Sequence, residues 1–222
     1  MNTVRFTRSN KEIIVPKIFC VGKNYVKHAV EMKSSIPGNP IIFMKPSSAI
    51  VHDGARIEVP TITKEMHHET EIFFVIGAGG KNIKKEHALR HIAGVGVGLD
   101  LTLRDIQAEL KKEGNPWLIS KGFDGSAPIS DAVPVTGIDL ASLSIRLYVG
   151  GYIRQQGNYK DTIFKVEEIV EYISQLFTLE QGDLIFTGTP EGVASISAGD
   201  KLKAELLNGD GVVLTSVGVE IV

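Results

Sequence analysis

The run His67-His68-Glu69-Thr70-Glu71-Ile72-Phe73-Phe74-Val75-Ile76-Gly77 leads two acids, one residue apart, into five consecutive apolar positions. A short Ile/Phe/Val-rich run closed by glycine reads as a strand buried in a core. On a strand, Glu69 and Glu71 point to one face with Cα atoms roughly 6.6 Å apart, close enough for two carboxylates to converge on one ion. Two acids at the mouth of a core strand repel each other unless a cation offsets them. Hard oxygen donors suit Mg²⁺, Mn²⁺ or Ca²⁺ better than thiophilic metals. The same spacing also fits two solvated residues on an exposed strand face.

Further along, Gly94-Val95-Gly96-Val97-Gly98-Leu99-Asp100 has glycine at every second position. One face of that strand is bare backbone, open to close approach by another layer. Asp100 stands where a predicted strand over Val95–Leu101 gives way to a predicted helix over Thr102–Lys112. It is read either as a cap for that helix or as a third acid beside Glu69 and Glu71. Other predicted strands are Lys17–Val21, Ile41–Met44, Ser144–Val149 and Leu184–Thr187. Two hairpins are expected, one turning at Gly150-Gly151 before Tyr152–Arg154. The other joins Lys201–Leu206 to Val212–Val222 through Asn208-Gly209-Asp210-Gly211. The stripe Val166, Ile169, Val170, Ile173, Phe177 predicts a helix over Val166–Phe177 lying on a sheet, and a shorter helix is predicted over Tyr25–Met32. Many short strands with few helices give a β-rich α+β class.

Several polar residues fall where site chemistry is possible. His28 and Glu31 are three apart, on one face of the predicted first helix. A carboxylate beside an imidazole fixes its tautomer and suits a general base, although an ordinary surface pair has the same spacing. Arg104 and Gln107 share a face of the helix after Asp100, where the arginine fork could grip a carboxylate or simply be solvated. Lys45 and Lys121 end apolar runs, as site cations or as surface lysines. Gly188-Thr189-Pro190 is a turn whose N–H groups could hold an oxyanion.

Composition narrows the classes. The 222 residues are 43% apolar with a formal net charge of −2. That is enough to bury one substantial core, and it supplies no basic field for nucleic acid or an acidic membrane. One catalytic domain over residues 1–222 is expected, with residues 1–15 as a small strand appendage. The lone Cys20 lies in the apolar run Ile18-Phe19-Cys20-Val21 and is expected to be a buried packing thiol in a reducing, cytoplasmic setting. The N-terminus lacks signal- and transit-peptide patterns. No apolar run approaches the roughly 18 residues that span a bilayer. Gly77-Ala78-Gly79-Gly80 has Asn82 where a dinucleotide fingerprint needs its third glycine, and there is neither a Walker-type loop nor a Gly-x-Ser-x-Gly elbow. His67-His68 alone is poor evidence for zinc.

Taken together, the segments Cys20–Tyr25, Met44–Pro46, His67–Glu71, Leu99–Asp105, Lys121–Asp124 and Phe186–Val193 resemble, in order, the fumarylacetoacetate hydrolase family. The resemblance is to its small acylpyruvase and oxaloacetate decarboxylase branch and runs from about Val15 to Val222. It implies a mixed β-roll/β-sandwich, a homodimer and one Mg²⁺ or Mn²⁺ per subunit held by Glu69, Glu71 and Asp100. It places His28 and Glu31 at the water-activating dyad and Lys121 at the active-site lysine. It also makes Tyr25, Lys45, Arg104, Gln107, Gly188 and Thr189 substrate-binding residues. The implied chemistry is hydrolysis of the C–C bond of acylpyruvates, with oxaloacetate decarboxylation or keto–enol exchange at the same site. The substrate is a small anionic 2-oxo acid. The alternatives are an isomerase or hydratase of longer 2-oxo diacids and a non-catalytic, metal-stabilised binding protein. One departure stands out: Ala194-Ser195 follow Gly192-Val193 where the family usually has Gly-Pro.

Overall fold

The computed structural model describes residues 2–31 and 36–222. Met32, the last residue of the first predicted helix, lies outside them. In chain order the elements begin with β1 (Thr3–Arg5), β2 (Glu12–Ile14), β3 (Lys17–Gly22), α1 (Val26–Glu31), β4 (Ile41–Pro46), β5 (Ile50–Val51) and β6 (Ala55–Ile57). Next come β7 (Met66–His68), β8 (Thr70–Ile76), β9 (Ile92–Leu99), β10 (Thr102–Leu103), α2 (Arg104–Glu113) and α3 (Leu118–Lys121). Then follow β11 (Ala127–Pro128), β12 (Val133–Pro134), β13 (Ser144–Val149), β14 (Tyr152–Asn158) and α4 (Val166–Leu176). The chain closes with β15 (Leu184–Phe186), β16 (Ala194–Ile196), β17 (Lys201–Leu207) and β18 (Val213–Ile221).

The expected β-rich α+β fold is present. A six-stranded mixed sheet has the order β12-β9-β8-β15-β3-β4, and a five-stranded sheet has the order β14-β13-β17-β18-β6. β13 lies over β8, and β17 and β18 lie over β9, so the two sheets face each other. A three-stranded sheet, β10-β7-β16, caps one end.

Strand β8 is buried along its whole length because its sheet is covered on both faces. Alternate residues serve different layers. Ile72, Phe74 and Ile76 join the core between the sheets and under α4. Phe73 and Val75 join a second core with Cys20, Leu184 and Phe186, closed by Val4 and Phe6 from the N-terminal hairpin. The glycine alternation of β9 serves this second layer. A Cβ on Gly94, Gly96 or Gly98 would lie 2.7, 2.4 or 2.7 Å from the rings of Phe6, Phe73 and Phe186 respectively. Cys20 is fully buried there, as expected of a packing thiol.

Both hairpins form where expected, with Gly150 and Gly151 at φ 58° and 85°. The helix predicted from Thr102 starts at Arg104 instead. Thr102 and Leu103 pair with His67 and Met66 as strand β10. Helix α4 stops at Leu176, and Phe177 turns out of it to pack its ring 5.4 Å from that of Phe19. Strand β14 runs four residues past the predicted Arg154, a difference that matters for the site.

Candidate active site

The β8–β9 ladder builds the acid cluster. Antiparallel pairing sets Glu71 opposite Gly98 and Thr70 opposite Leu99, and the Asp100 N–H donates to the Glu69 carbonyl at 2.8 Å. Residues distant in sequence thus emerge side by side at one end of the sheet. Glu69, Glu71 and Asp100 are all buried, and each offers an oxygen such that the three lie within 4.8 Å of one another. The solvated-face reading of Glu69 and Glu71 is excluded, as is the capping role for Asp100. Helix α2 has Leu103 at its N-cap with no side-chain cap bond, and the Asp100 side chain turns to lysines.

Helix α3 brings Lys121 to the cluster. Its Nζ donates to Glu69 Oε2 at 2.8 Å and to Asp100 Oδ2 at 2.6 Å. Arg104 donates to Glu69 Oε1 and, at 2.6 Å, to Gln107 Oε1. Burial pulls the Glu69 acid up, but Lys121 and Arg104 together outweigh it and hold the carboxyl well below the usual range. Burial likewise works against charge on Lys121, while Asp100 and Glu69 more than restore it and hold the ammonium above its ordinary value. Glu71 is different. It accepts the Gly188 N–H at 2.6 Å but has no ion pair among the described residues. Burial, then Asp100 and Glu69, push its acid well up. A buried carboxylate short of positive charge, beside two more hard oxygen donors, fits a divalent cation.

These groups line a cavity of about 290 Å³ together with His28, Gln107, Thr189, Phe43 and Trp117. His28 is buried and its Nδ1 lies 3.2 Å from Glu31 Oε2. Glu31 Oε1 accepts the Gly192 N–H at 3.1 Å, which ties α1 to the loop after β15.

Three expected substrate contacts are placed elsewhere. Lys45 is fully buried beneath the cluster, 2.8 Å from Asp100 Oδ1, and donates to the carbonyls of Leu101, Lys121 and Ser126. It supports Asp100 from behind: β4 is an edge strand of its sheet, but the Lys45 side chain turns inward and is enclosed by those carbonyls. The Gly188 N–H is taken by Glu71, so it is not free for an oxyanion. The Tyr25 ring is buried and lines a separate hollow with Gly157 and Glu191. Ala194-Ser195 pair with His68 and His67 in β16, one strand away from the cavity wall.

Sequence reading missed Gln155. Buried on β14, it accepts from Thr70 N at 3.0 Å, lies 3.0 Å from His68 Nδ1, and donates to Thr189 Oγ1 and the Pro190 carbonyl at 2.8 and 2.9 Å. It thereby joins the acid strand to the Thr189 turn. The signal was the inward alternation of Gln155 and Gly157, hidden because neither residue is apolar. Lys111, Phe43 and Trp117 were missed as well. All three line the cavity.

The pattern described as fumarylacetoacetate (FAA) hydrolase C-terminal matches residues 17–218. The chain is 43% identical over 191 residues to oxaloacetate tautomerase YcgM of Escherichia coli, covering 85% of this chain and 87% of that protein. It is 43% identical over 189 residues to the mitochondrial oxaloacetate tautomerase FAHD1 of Arabidopsis thaliana, covering 85% of each. The crystal structure of fumarylpyruvate hydrolase from Pseudomonas aeruginosa in complex with Mn²⁺ and pyruvate superposes with a TM-score of 0.92. It shares 36% identity and covers 99% of this chain and 95% of that one. Motif order, fold and these similarities agree: the chain belongs to the fumarylacetoacetate hydrolase family.

Proposed function

We propose that this protein is a Mg²⁺- or Mn²⁺-dependent enzyme of small 2-oxo acids. It hydrolyses acylpyruvates between C3 and C4, and it supports keto–enol exchange and decarboxylation of oxaloacetate at the same site. The observation that carries this reading is the cavity lined by three buried acids, by Arg104 and Lys121 paired to them, and by His28, which is backed by Glu31. The relatives named for oxaloacetate tautomerase and the Mn²⁺–pyruvate complex of the similar hydrolase support it.

Glu69, Glu71 and Asp100 would hold the cation. When bound, it supplies Lewis-acid stabilisation for negative charge developing on a 2-oxo acid. The chain's own residues do the rest. Arg104 and Lys121, both charged and both at the cluster, draw an anionic substrate in and fix its orientation. Glu31 accepts the Nδ1 proton of His28, which leaves Nε2 as the basic nitrogen. For hydrolysis, His28 takes a proton from water as the water oxygen attacks C4. The C3–C4 bond then breaks, its electron pair passes to C3, and C3 takes up a proton to give pyruvate and a carboxylic acid. For oxaloacetate, proton transfer at C3 needs no water. Phe43 and Trp117 supply an apolar part of the cavity wall, which limits solvent around a bound substrate.

The test is to assay the purified protein with Mg²⁺ or Mn²⁺ against acetylpyruvate, fumarylpyruvate and oxaloacetate. At least one should turn over. Glu69→Ala should lower the rate at least a hundredfold, and His28→Asn should abolish hydrolysis more completely than oxaloacetate decarboxylation. No turnover of any of the three with metal present would overturn the reading.

A further inference from the structure

Helix α2 presents Arg104, Gln107 and Lys111 to the cavity as one stripe. The two cations meet at a single acceptor. Arg104 Nη1 and Lys111 Nζ donate to Gln107 Oε1 at 2.6 and 3.1 Å. Arg104 is also committed to Glu69, so Lys111 stands one hydrogen-bonded group further out from the acid cluster. Its ammonium lies over the Trp117 ring, 5.0 Å from the centroid, and has no carboxylate partner among the described residues. Burial, then the charges of Arg104 and Lys121, push it down to about 8, and Lys23 in the same wall adds to that effect. A cation crowded by cations and facing a cavity is a receptor for an anion.

We propose that Lys111 is a specificity residue that receives the second carboxylate of a 2-oxo diacid whose 2-oxo acid end lies at Glu69, Glu71 and Asp100. This rests on the 2-oxo acid reading above. Charge balance favours a diacid. Glu69 and Asp100 are already paired with Lys45, Lys121 and Arg104, which leaves Glu71 as the one acid of the three without a cation of its own among the described residues. A bound divalent cation and Lys111 therefore leave excess positive charge that a monoacid only partly offsets. In oxaloacetate the second carboxylate sits two carbons beyond the 2-oxo carbon, and Lys111, joined to Arg104 through Gln107, is the next cation out along α2 on the same cavity wall. An acylpyruvate with a neutral acyl end leaves Lys111 unpaired.

Trp117 is the chain's one tryptophan and lines the cavity, so its fluorescence reports occupancy. Mn²⁺-loaded wild type, Lys111→Met and Lys111→Arg would be titrated with pyruvate and with freshly dissolved oxaloacetate. Lys111→Met should weaken oxaloacetate at least tenfold while pyruvate changes less than twofold, which also shows that the variant is folded. Lys111→Arg should keep most of the affinity for oxaloacetate. Equal losses for both ligands, or no loss for either, would overturn the role of Lys111. If wild type bound neither ligand, the 2-oxo acid reading itself would fall and this proposal with it.

Discussion

Gly96 shows how one missing side chain shapes the site. A Cβ there would stand 2.4 Å from Phe73 Cζ and 2.9 Å from Ser130 Oγ. Phe73 cannot retreat, because it stacks on Phe186 at 5.6 Å and Phe186 in turn fills the space over Gly98. Gly96→Ala is therefore an overpacking change, expected to cost about 1–3 kcal/mol. Urea unfolding monitored at two probes would measure it. An unchanged midpoint would show that the ring layer yields more easily than its packing indicates. The neighbouring acids obey similar logic with charge in place of volume. Glu69 stays ionised because Lys121 and Arg104 outweigh burial, and Glu71 lacks such partners.

At the scale of elements, the site is a junction between sheets. Strand β14, at the edge of the second sheet, sends Gln155 across to β8 and to the turn after β15. Gln155→Leu keeps the volume but strands several buried partners, each costing about 1–3 kcal/mol if left unpaired. A loss above about 3 kcal/mol is expected, with a lower kcat because the Thr189 turn loses its tether. Calorimetry and steady-state kinetics on the variant would check both. A stable, fully active variant would show that Gln155 holds nothing in place. The polar tail of β14 explains why this element was only half legible. Alternation was present at Gln155 and Gly157, but hydrophobic periodicity cannot register it. The start of α2 was misplaced for a related reason. Thr102-Leu103 continues a helical pattern, yet pairing with β7 captures both residues.

For the molecule as a whole, a cation held by the acid cluster would couple binding to folding. An ion that binds only the folded chain stabilises it by about 2.7 kcal/mol at a hundred times its Kd. Mn²⁺ should therefore raise the melting temperature of wild type in a concentration-dependent way and leave Glu69→Ala nearly unmoved. A wild-type melting curve indifferent to Mn²⁺ and Mg²⁺ would remove the metal from the account. No helix among the described residues is long and apolar enough to cross a membrane.

Strand periodicity, the glycine alternation and the two hairpin turns are local properties, so the sequence alone determined the β-rich class and the face shared by Glu69 and Glu71. The order of its motifs pointed to the family and to His28, Glu31, Asp100, Arg104, Gln107 and Lys121. Which of two equivalent lysines meets the cavity was not a local property. Lys45 and Lys121 both end apolar runs, and only the tertiary structure encloses Lys45 behind Asp100 while α3 sets Lys121 on the cavity wall. The same holds for Gly188, whose N–H was open to any acceptor until β8 brought Glu71 within 2.6 Å. Side-chain destinations depend on which strands become neighbours, and that is decided by burial across the whole chain rather than within any one segment.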